Sequence, residues 1–128
     1  MTDLPLAIRT HLLMLAGVTT LTGQRISLET ETPPAGYAPS DGACLCVTLD
    51  EGALDETGAY WEVTLTCRCY AASVVAARAL YRALHDALHN QWGTTVRHVL
   101  AAGVGVTGRA PGTGWPVVVG RFEGVIQA

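Results

Sequence analysis

The sequence predicts an α+β domain in which a mainly antiparallel sheet of four to five strands carries two helices on one face. Two segments space their apolar residues as a helix does, five others are rich in strand-forming residues, and connections rich in Gly, Pro or Asp separate them. Their order is helix, strand, strand, strand, helix, strand, strand. Because consecutive strands joined by turns usually pair, this order favours an antiparallel sheet. The 128 residues fit a single domain over 1–128.

The first half of the chain begins with a helix. Asp3 can cap this helix, Pro5 falls in its first turn, and Gly17 is expected to end it. Its apolar residues recur at helical spacing, at Leu4, Ile8, Leu12 and Leu15. A turn over 18–22 then leads into a short strand over 25–29. Because residues 30–42 include three Pro and two Gly among mostly polar residues, we predict a long loop there.

The second half holds the longest predicted strand. Strands are predicted over 43–49 and 60–70, with an acidic turn over 50–58 between them. The odd positions of the longer strand are expected to face the core, namely Trp61, Val63, Leu65, Cys67 and Cys69. Ser73 is expected to cap a second helix that runs to about Gln91 and covers the sheet. Two closing strands, 96–106 and 117–126, flank a second long loop over 107–116.

The composition indicates a protein that buries apolar surface against neighbouring subunits. Hydrophobic residues make up 49% of the chain and charged residues 15%, against about 25% charged in an average soluble domain. A chain of this size has too much surface to hide so many apolar side chains internally, so we expect an oligomer. All eight basic residues are Arg. The absence of lysine excludes a P-loop lysine, Schiff-base chemistry and a Ser-x-x-Lys nucleophile pair.

The charges are unevenly distributed along the chain. Residues 26–67 hold eight acids and no Arg, whereas residues 68–128 hold six Arg and two acids; the whole chain carries −3. If the two halves map to different faces, like subunits can meet head to tail, with acidic surface on basic surface, which is an arrangement that closes into rings. A solvated acidic loop region explains the same pattern equally well.

Four cysteines form two C-x-C pairs, Cys44/Cys46 and Cys67/Cys69, and thereby suggest a four-thiolate metal site. Strand alternation argues against a shared site. Leu45, Val47 and Leu49 must face the core, which turns Cys44 and Cys46 outward, while Cys67 and Cys69 face inward on their own strand. If both strands belong to one sheet, the pairs point to opposite sides. We therefore expect neither a metal nor a disulfide, and treat a small Cys-based metal or redox protein as the rival hypothesis.

Other candidate chemistry is weak. His85 and His89 lie four apart on the second predicted helix, yet no H-E-x-x-H motif surrounds them, and we assign them to its solvent side. Residues 103–108 match G-x-G-x-x-G, but too few residues follow for the required strand–helix–strand unit. No catalytic constellation is recognisable, so we expect no enzyme and no cofactor. We also expect no sequence-specific nucleic acid binding, since a lysine-free chain of net charge −3 lacks a basic stripe.

No apolar segment reaches the ~20 residues that span a bilayer. The best candidate, 10–24, is short and rich in Thr and Gly, and neither a basic start nor a small-residue cleavage site is clear. We therefore expect synthesis in the cytoplasm and no membrane association.

Two segments resemble the tail-completion or tail-terminator family of long-tailed phages. The first is Leu-Thr-Gly-Gln-Arg-Ile at 21–26, after the opening helix, which is similar to the Gly-Asp-Arg-Ile-like turn of that family. The second runs from Val63 to Leu80 and places Cys69-Tyr70-Ala71 between a strand and an Ala/Leu-rich helix, as the family does. The order of elements agrees over nearly the full chain.

The resemblance implies a virion protein that forms a ring, commonly of six subunits, at the head-proximal end of the tail. Such a ring stops growth of the tail tube and joins it to the head connector, so the implied partners are the chain itself, the tail tube protein and the connector. Candidate assembly-interface residues are Tyr37, Arg109 and Trp115, which lie within the two long loops. Local loop packing is an equal alternative for these aromatics. A neck adaptor or another minor tail subunit is the alternative role within the same class.

Overall fold

The computed structural model describes residues 3–89, 91–92, 96–103 and 105–127, with the backbone alone at 91–92. Within these residues there are three α-helices, seven strands and a short 3-10 turn at Pro39–Asp41. The helices are α1 (Leu4–Leu13), α2 (Ala16–Thr22) and α3 (Val74–Leu88). The strands are β1 (Ile26–Leu28), β2 (Cys44–Leu54), β3 (Tyr60–Tyr70), β4 (Gln91–Trp92), β5 (Val96–Ala101), β6 (Val106–Arg109) and β7 (Pro116–Gln127). The predicted α+β class is confirmed, with more elements than expected.

The seven strands form one sheet in the order β1-β2-β3-β7-β5-β4, and β6 pairs with β7 beyond the end of β5. The pairing of β1 with β2 is parallel, and the other pairings in the described residues are antiparallel. The closing strand β7 therefore lies in the middle of the sheet, beside β3. Its length of 12 residues lets β5 and β6 pair with successive parts of its other edge.

All three helices pack on one side of the sheet, which we call the helix face; the opposite side is the open face. Odd residues of β3 and even residues of β7 point into the helix face, because successive side chains of a strand alternate. The resulting core contains Val63, Leu65, Phe122 and Ile126 from the sheet, each at most 5% exposed. From α3 it takes Ala77, Leu80, Leu84 and Leu88. The odd residues of β3 face this core, as the sequence predicted.

The opening helix is interrupted, contrary to the sequence prediction. The first helix ends at Leu13 and not at Gly17, and the predicted turn over 18–22 is the second helix, α2. α2 is held in place by burial of Val18 and Thr22, which are both 0% exposed. Its threonine hydroxyls donate to carbonyls one turn earlier, as from Thr20 to Ala16 at 2.7 Å. No single described helix is long and apolar enough to cross a bilayer; α1 and α2 together meet that test only as a pair bent by 88°.

β2 is longer than predicted and contains a bulge. The strand runs to Leu54, so most of the predicted acidic turn over 50–58 is strand, with a register shift between Leu49 and Glu51. Asp50 at the bulge is held by the Thr48 hydroxyl, at 3.2 Å, and by the Thr66 hydroxyl. An extra residue reverses the alternation, so Glu51 points to the open face and Gly52 to the helix face. The bulge thereby keeps a carboxylate out of the core.

The remaining corrections concern the C-terminal half. α3 ends at Leu88 and not near Gln91, because His89 is extended and Gln91–Trp92 pair with β5. The predicted strand over 96–106 is divided into β5 and β6; Val104 within it lies outside the described residues. β6 and the start of β7 also shorten the predicted loop over 107–116 to residues 110–115.

Candidate assembly surfaces

One end of the open face is covered by two loops, residues 30–42 and 110–115. Beneath them lies a second apolar cluster, which we call the loop-covered cluster. Its buried members are Cys44, Cys46, Tyr70 and Val117, and its partly buried members are Tyr37, Ala110, Trp115 and Val119. The sequence prediction that Cys44 and Cys46 face away from the main core is therefore correct. They are nevertheless fully buried, because the loops shield them from solvent.

The structure brings Tyr37 and Trp115 together at the top of this cluster. Their rings meet edge to face with centroids 5.5 Å apart, a geometry that stabilises aromatic pairs. The Tyr37 hydroxyl donates to the Gly42 carbonyl at 2.6 Å. Burial raises the pKa of Tyr37 to about 12, so this donor stays protonated. The contact joins two loops that are separate in sequence, which is the local packing that we considered as an alternative to an interface role.

Further polar contacts fasten the 30–42 loop to the sheet. The Tyr70 hydroxyl donates to the Glu31 carbonyl at 2.6 Å, and Arg68 lies 3.9 Å from the Glu31 carboxylate. At the other end of the loop, the Arg25 side chain donates to the Ala43 carbonyl at 3.0 Å and packs against Gly42. Gly42 has φ +121, where a side chain would be strained and would also collide with the Arg25 guanidinium. The loop is thus anchored at both ends.

Arg109, the third predicted interface residue, lies at the end of β6. It is exposed, and its guanidinium donates to the Gly114 carbonyl at 3.0 Å, which braces the 110–115 loop that carries Trp115. All three predicted residues therefore belong to the same end of the molecule. Their role as contacts with another protein remains a prediction.

The two cysteine pairs lie on opposite sides of the sheet. In the β2–β3 register, Leu45 is opposite Cys69 and Val47 is opposite Cys67, whereas Cys46 is opposite Arg68. The pairs cannot converge on one ion across a sheet, and no group of three potential metal ligands occurs among the described residues. All four thiols are free and buried. This geometry gives the rival metal hypothesis no shared four-thiolate site.

The thiols are also poorly suited to redox chemistry. Burial raises the pKa of Cys67 to about 12 and that of Cys69 well above its usual value. The hydrogen bond between Cys46 and Cys44 raises the pKa of Cys46 and lowers that of Cys44. Because the thiolate is the reactive form and none of these sulfurs is accessible, they act as small apolar side chains.

The uncovered end of the open face carries a shallow acidic hollow of about 660 Å³. Glu51 and Glu123 flank Thr64 from the two neighbouring strands, and Glu62 lies two residues further along β3. All three carboxylates are exposed, and no Arg in the described residues lies within ion-pair distance of them. Val125 and Leu100 contribute apolar surface to the same hollow, with Leu100 40% exposed. We call this surface the acidic hollow.

A basic surface lies on the other side of the molecule, on α3. Arg78 and Arg82 are exposed and line a second hollow of about 390 Å³ between α3 and β6, together with Tyr81 and His85. Arg78 donates to the Thr107 hydroxyl at 3.1 Å, whereas Arg82 makes no hydrogen bond or ion pair with any described residue. Val75, one turn before Arg78, is 78% exposed. We call the exposed side of α3, with Val75, Arg82 and Arg78, the basic helix surface.

The histidine pair and the glycine motif both have structural explanations. The rings of His85 and His89 stack with centroids 4.8 Å apart, and the Nδ1 atom of His89 accepts a hydrogen bond from the Ala101 N–H at 2.9 Å. The lone pair of that nitrogen is therefore already used in a hydrogen bond. In the glycine motif, Gly103 has φ +99 and the chain continues into β6, not into the helix that a dinucleotide site requires.

The acidic hollow was not recognised from the sequence. Glu62 and Glu123 could have been placed on the open face, because both alternate with apolar core residues on their strands. Glu51 could not, since its direction depends on the bulge at Asp50. The charge halves also map only partly onto faces, because Glu123 comes from the basic half of the chain and Arg68 and Arg121 share the open face with the acids.

A solved structure with the same fold is a chain from the virion of a native gene transfer agent particle. The two align with a TM-score of 0.66 over 98% of this chain and 95% of that chain, at 17% sequence identity. At this identity, the likeness establishes a shared fold. No family model matches the sequence, and no curated protein matches it.

Proposed function

We propose that this chain is a structural subunit of a phage-like virion and that it works by assembly with neighbouring virion proteins, without catalysis. The observation that carries the proposal is the likeness to the gene transfer agent virion chain, which extends over 98% of this chain and 95% of the other. Near-complete coverage in both directions means that the two proteins share a whole architecture and not one common motif.

The more specific role rests on the sequence resemblance. The segments that resemble the tail-terminator family lie at the α2–β1 turn and at the β3–α3 junction, where Cys69, Tyr70 and Ala71 are at most 4% exposed. Buried residues of this kind preserve a fold. We accordingly propose a homo-oligomeric ring at the head-proximal end of a tail, with the six copies that the resemblance implies. There the ring ends the tail tube and contacts the head connector.

The surface of the molecule supports an assembly role. Large apolar side chains are exposed at several separate places, with Met14 77%, Val75 78% and Val106 65% accessible. The Tyr37–Trp115 pair with Arg109 forms an anchored surface at one end, which we propose as a contact for the tail tube or the connector. Since both loops are already tied to the sheet, little ordering entropy would oppose docking there.

Deletion of the coding gene from a particle-producing strain tests the role. Loss of a tail terminator is expected to give tails of uncontrolled length that do not join heads. Loss of a neck adaptor would instead leave tails of normal length separate from filled heads. Normal, infectious or gene-transferring particles without the protein would refute a structural role in the virion. Native mass spectrometry of the purified chain checks the oligomer, and a bound metal in that spectrum would favour the Cys-based rival.

A further inference from the structure

We infer that the basic helix surface of one copy docks on the acidic hollow of the next copy, so that the α3 helix of a neighbour covers the end of each open face that the loops leave uncovered. This inference rests on the proposed assembly function and names the surfaces that would carry it. It follows from three observations: complementary charge, exposed apolar side chains on both surfaces, and the placement of the two surfaces on opposite sides of one sheet.

The charges on the two surfaces are complementary. The hollow holds three exposed carboxylates, Glu51, Glu62 and Glu123, without an Arg partner among the described residues. On α3, Arg82 has no polar partner in the described part of the chain. Asp86 lies on the same side of α3 one turn later, so Arg78, Arg82 and Asp86 together leave a net charge of +1 on this surface. Arginine among carboxylates is the pairing that orients subunits and raises specificity.

Apolar side chains accompany the charges on both sides. Val75 precedes Arg82 by two helical turns, about 10 Å along α3, and is 78% exposed. The hollow offers Leu100, which is 40% exposed, and Val125. A contact that combines an apolar centre with charged groups around it is typical of protein interfaces.

The two surfaces cannot meet within one molecule. α3 packs on the helix face, so its basic surface lies on that side of the sheet, whereas the hollow lies on the open face. The contact must therefore join different copies, and it uses a different surface on each. Such a head-to-tail contact repeats from copy to copy and either closes into a ring or continues as a filament.

Charge reversal tests whether opposite charges on the two surfaces hold neighbouring copies together. Arg82→Glu makes both surfaces acidic, and the double change Glu62→Arg/Glu123→Arg leaves one Glu and two Arg in the hollow, which turns its charge from −3 to +1 and makes it repulsive toward Arg82. Each variant alone should weaken self-association at least ~10-fold, because like charges would face each other. Mixed in equal amounts, the two variants should assemble again with alternating copies, since each helix surface then faces a hollow of opposite sign. Glu56→Arg is the control: it reverses the charge of a Glu at an exposed turn outside the hollow.

Native mass spectrometry and sedimentation velocity at one protein concentration report the outcome. Loss of oligomer when each of the two variants is alone, retention in Glu56→Arg and recovery in the mixture would support the docking. An oligomer unaffected by either reversal, or a mixture that stays dissociated, would overturn it while leaving the virion role intact. A wild-type chain that stays monomeric up to ~100 µM also overturns the docking, because this concentration is far above the dissociation constants of specific interfaces. The gene deletion alone then tests the virion role.

Discussion

The ring of Tyr81 lies in a slot between two glycines, so Gly120→Ala is a direct test of how α3 packs on the sheet. A Cβ atom at Gly120 would overlap the Tyr81 Cε1 atom and lie 3.0 Å from Cζ. On the other side of the ring, a Cβ at Gly105 would lie 2.8 Å from Cε2. Because both sides of the ring are closed, Tyr81 cannot move aside without displacing the backbone or α3.

The expected cost follows from two opposing effects. Overpacking by one methyl group costs about 1–3 kcal/mol, while replacing Gly by Ala in a strand recovers about 0.5–1 kcal/mol of unfolded-chain entropy. We therefore expect Gly120→Ala to lower the free energy of unfolding by ~1–2 kcal/mol. At roughly 4 °C per kcal/mol for a chain of this size, the melting temperature should fall by ~4–8 °C. Urea denaturation at fixed protein concentration measures the free energy, since an oligomer's stability varies with concentration.

Two comparisons distinguish crowding of the Tyr81 ring from the general effect of replacing Gly by Ala. Gly108→Ala, where nothing lies within 4 Å of the added atom, should leave stability unchanged or raise it slightly. In a Tyr81→Ala background, Gly120→Ala should no longer be destabilising, which gives a coupling energy of ~1–3 kcal/mol between the two positions. If Gly120→Ala changes the free energy of unfolding no more than Gly108→Ala, or lowers it equally with and without Tyr81, then the Tyr81 ring does not fill the space beside Gly120.

Three further predictions concern other parts of the fold. Ser73→Ala should cost ~1 kcal/mol in urea denaturation, because the Ser73 hydroxyl accepts the Ala76 N–H at 3.1 Å and caps α3; Ser73→Asp should retain most of the stability. Hydrogen bonds from the Thr57 hydroxyl and the Tyr60 N–H lower the pKa of Asp55 below 3.8, so its contribution is complete above that pH and is lost as the pH falls through the lowered value. Asp55→Asn should accordingly make stability less acid-sensitive between about pH 4 and pH 2 in a pH series of melting curves, and an unchanged profile would contradict this assignment. The four buried thiols should react with an aromatic disulfide reagent at least ~100-fold more slowly in the native protein than in denaturant, and rapid reaction of the native protein would argue for exposed cysteines.

Local sequence patterns predicted the parts of this fold that depend on one segment at a time. The alternation of Val63, Leu65 and Cys67 with polar residues on β3 oriented that strand correctly, because side-chain direction in a strand follows from backbone geometry alone. The same rule correctly assigned the two cysteine pairs to opposite sides of the sheet. The Ser73 cap and the apolar stripe of α3 likewise depend on neighbouring residues.

Predictions failed where a residue's environment depends on distant parts of the chain. The Gly17 signal for a helix end was overridden because Val18 and Thr22 find burial against the rest of the helix layer. The acidic turn was predicted too long, because Asp50 stays in β2 at the bulge, where the hydroxyls of Thr48 and Thr66 donate to its carboxylate. Thr66 lies on the neighbouring strand β3, and the pairing of β2 with β3 that brings it close is not visible in a local sequence pattern.

The sequence by itself determined the α+β class, the inward side of β3 and the opposite placement of the cysteine pairs, since each follows from short-range periodicity. Only the tertiary structure decided that β7 lies beside β3, that two loops bury Cys44 and Cys46, and that Glu51, Glu62 and Glu123 share one hollow. These arrangements require strands and loops from distant segments to become neighbours. Which segments become neighbours is determined by burial and hydrogen bonding over the whole molecule, not by periodicity within any one of them.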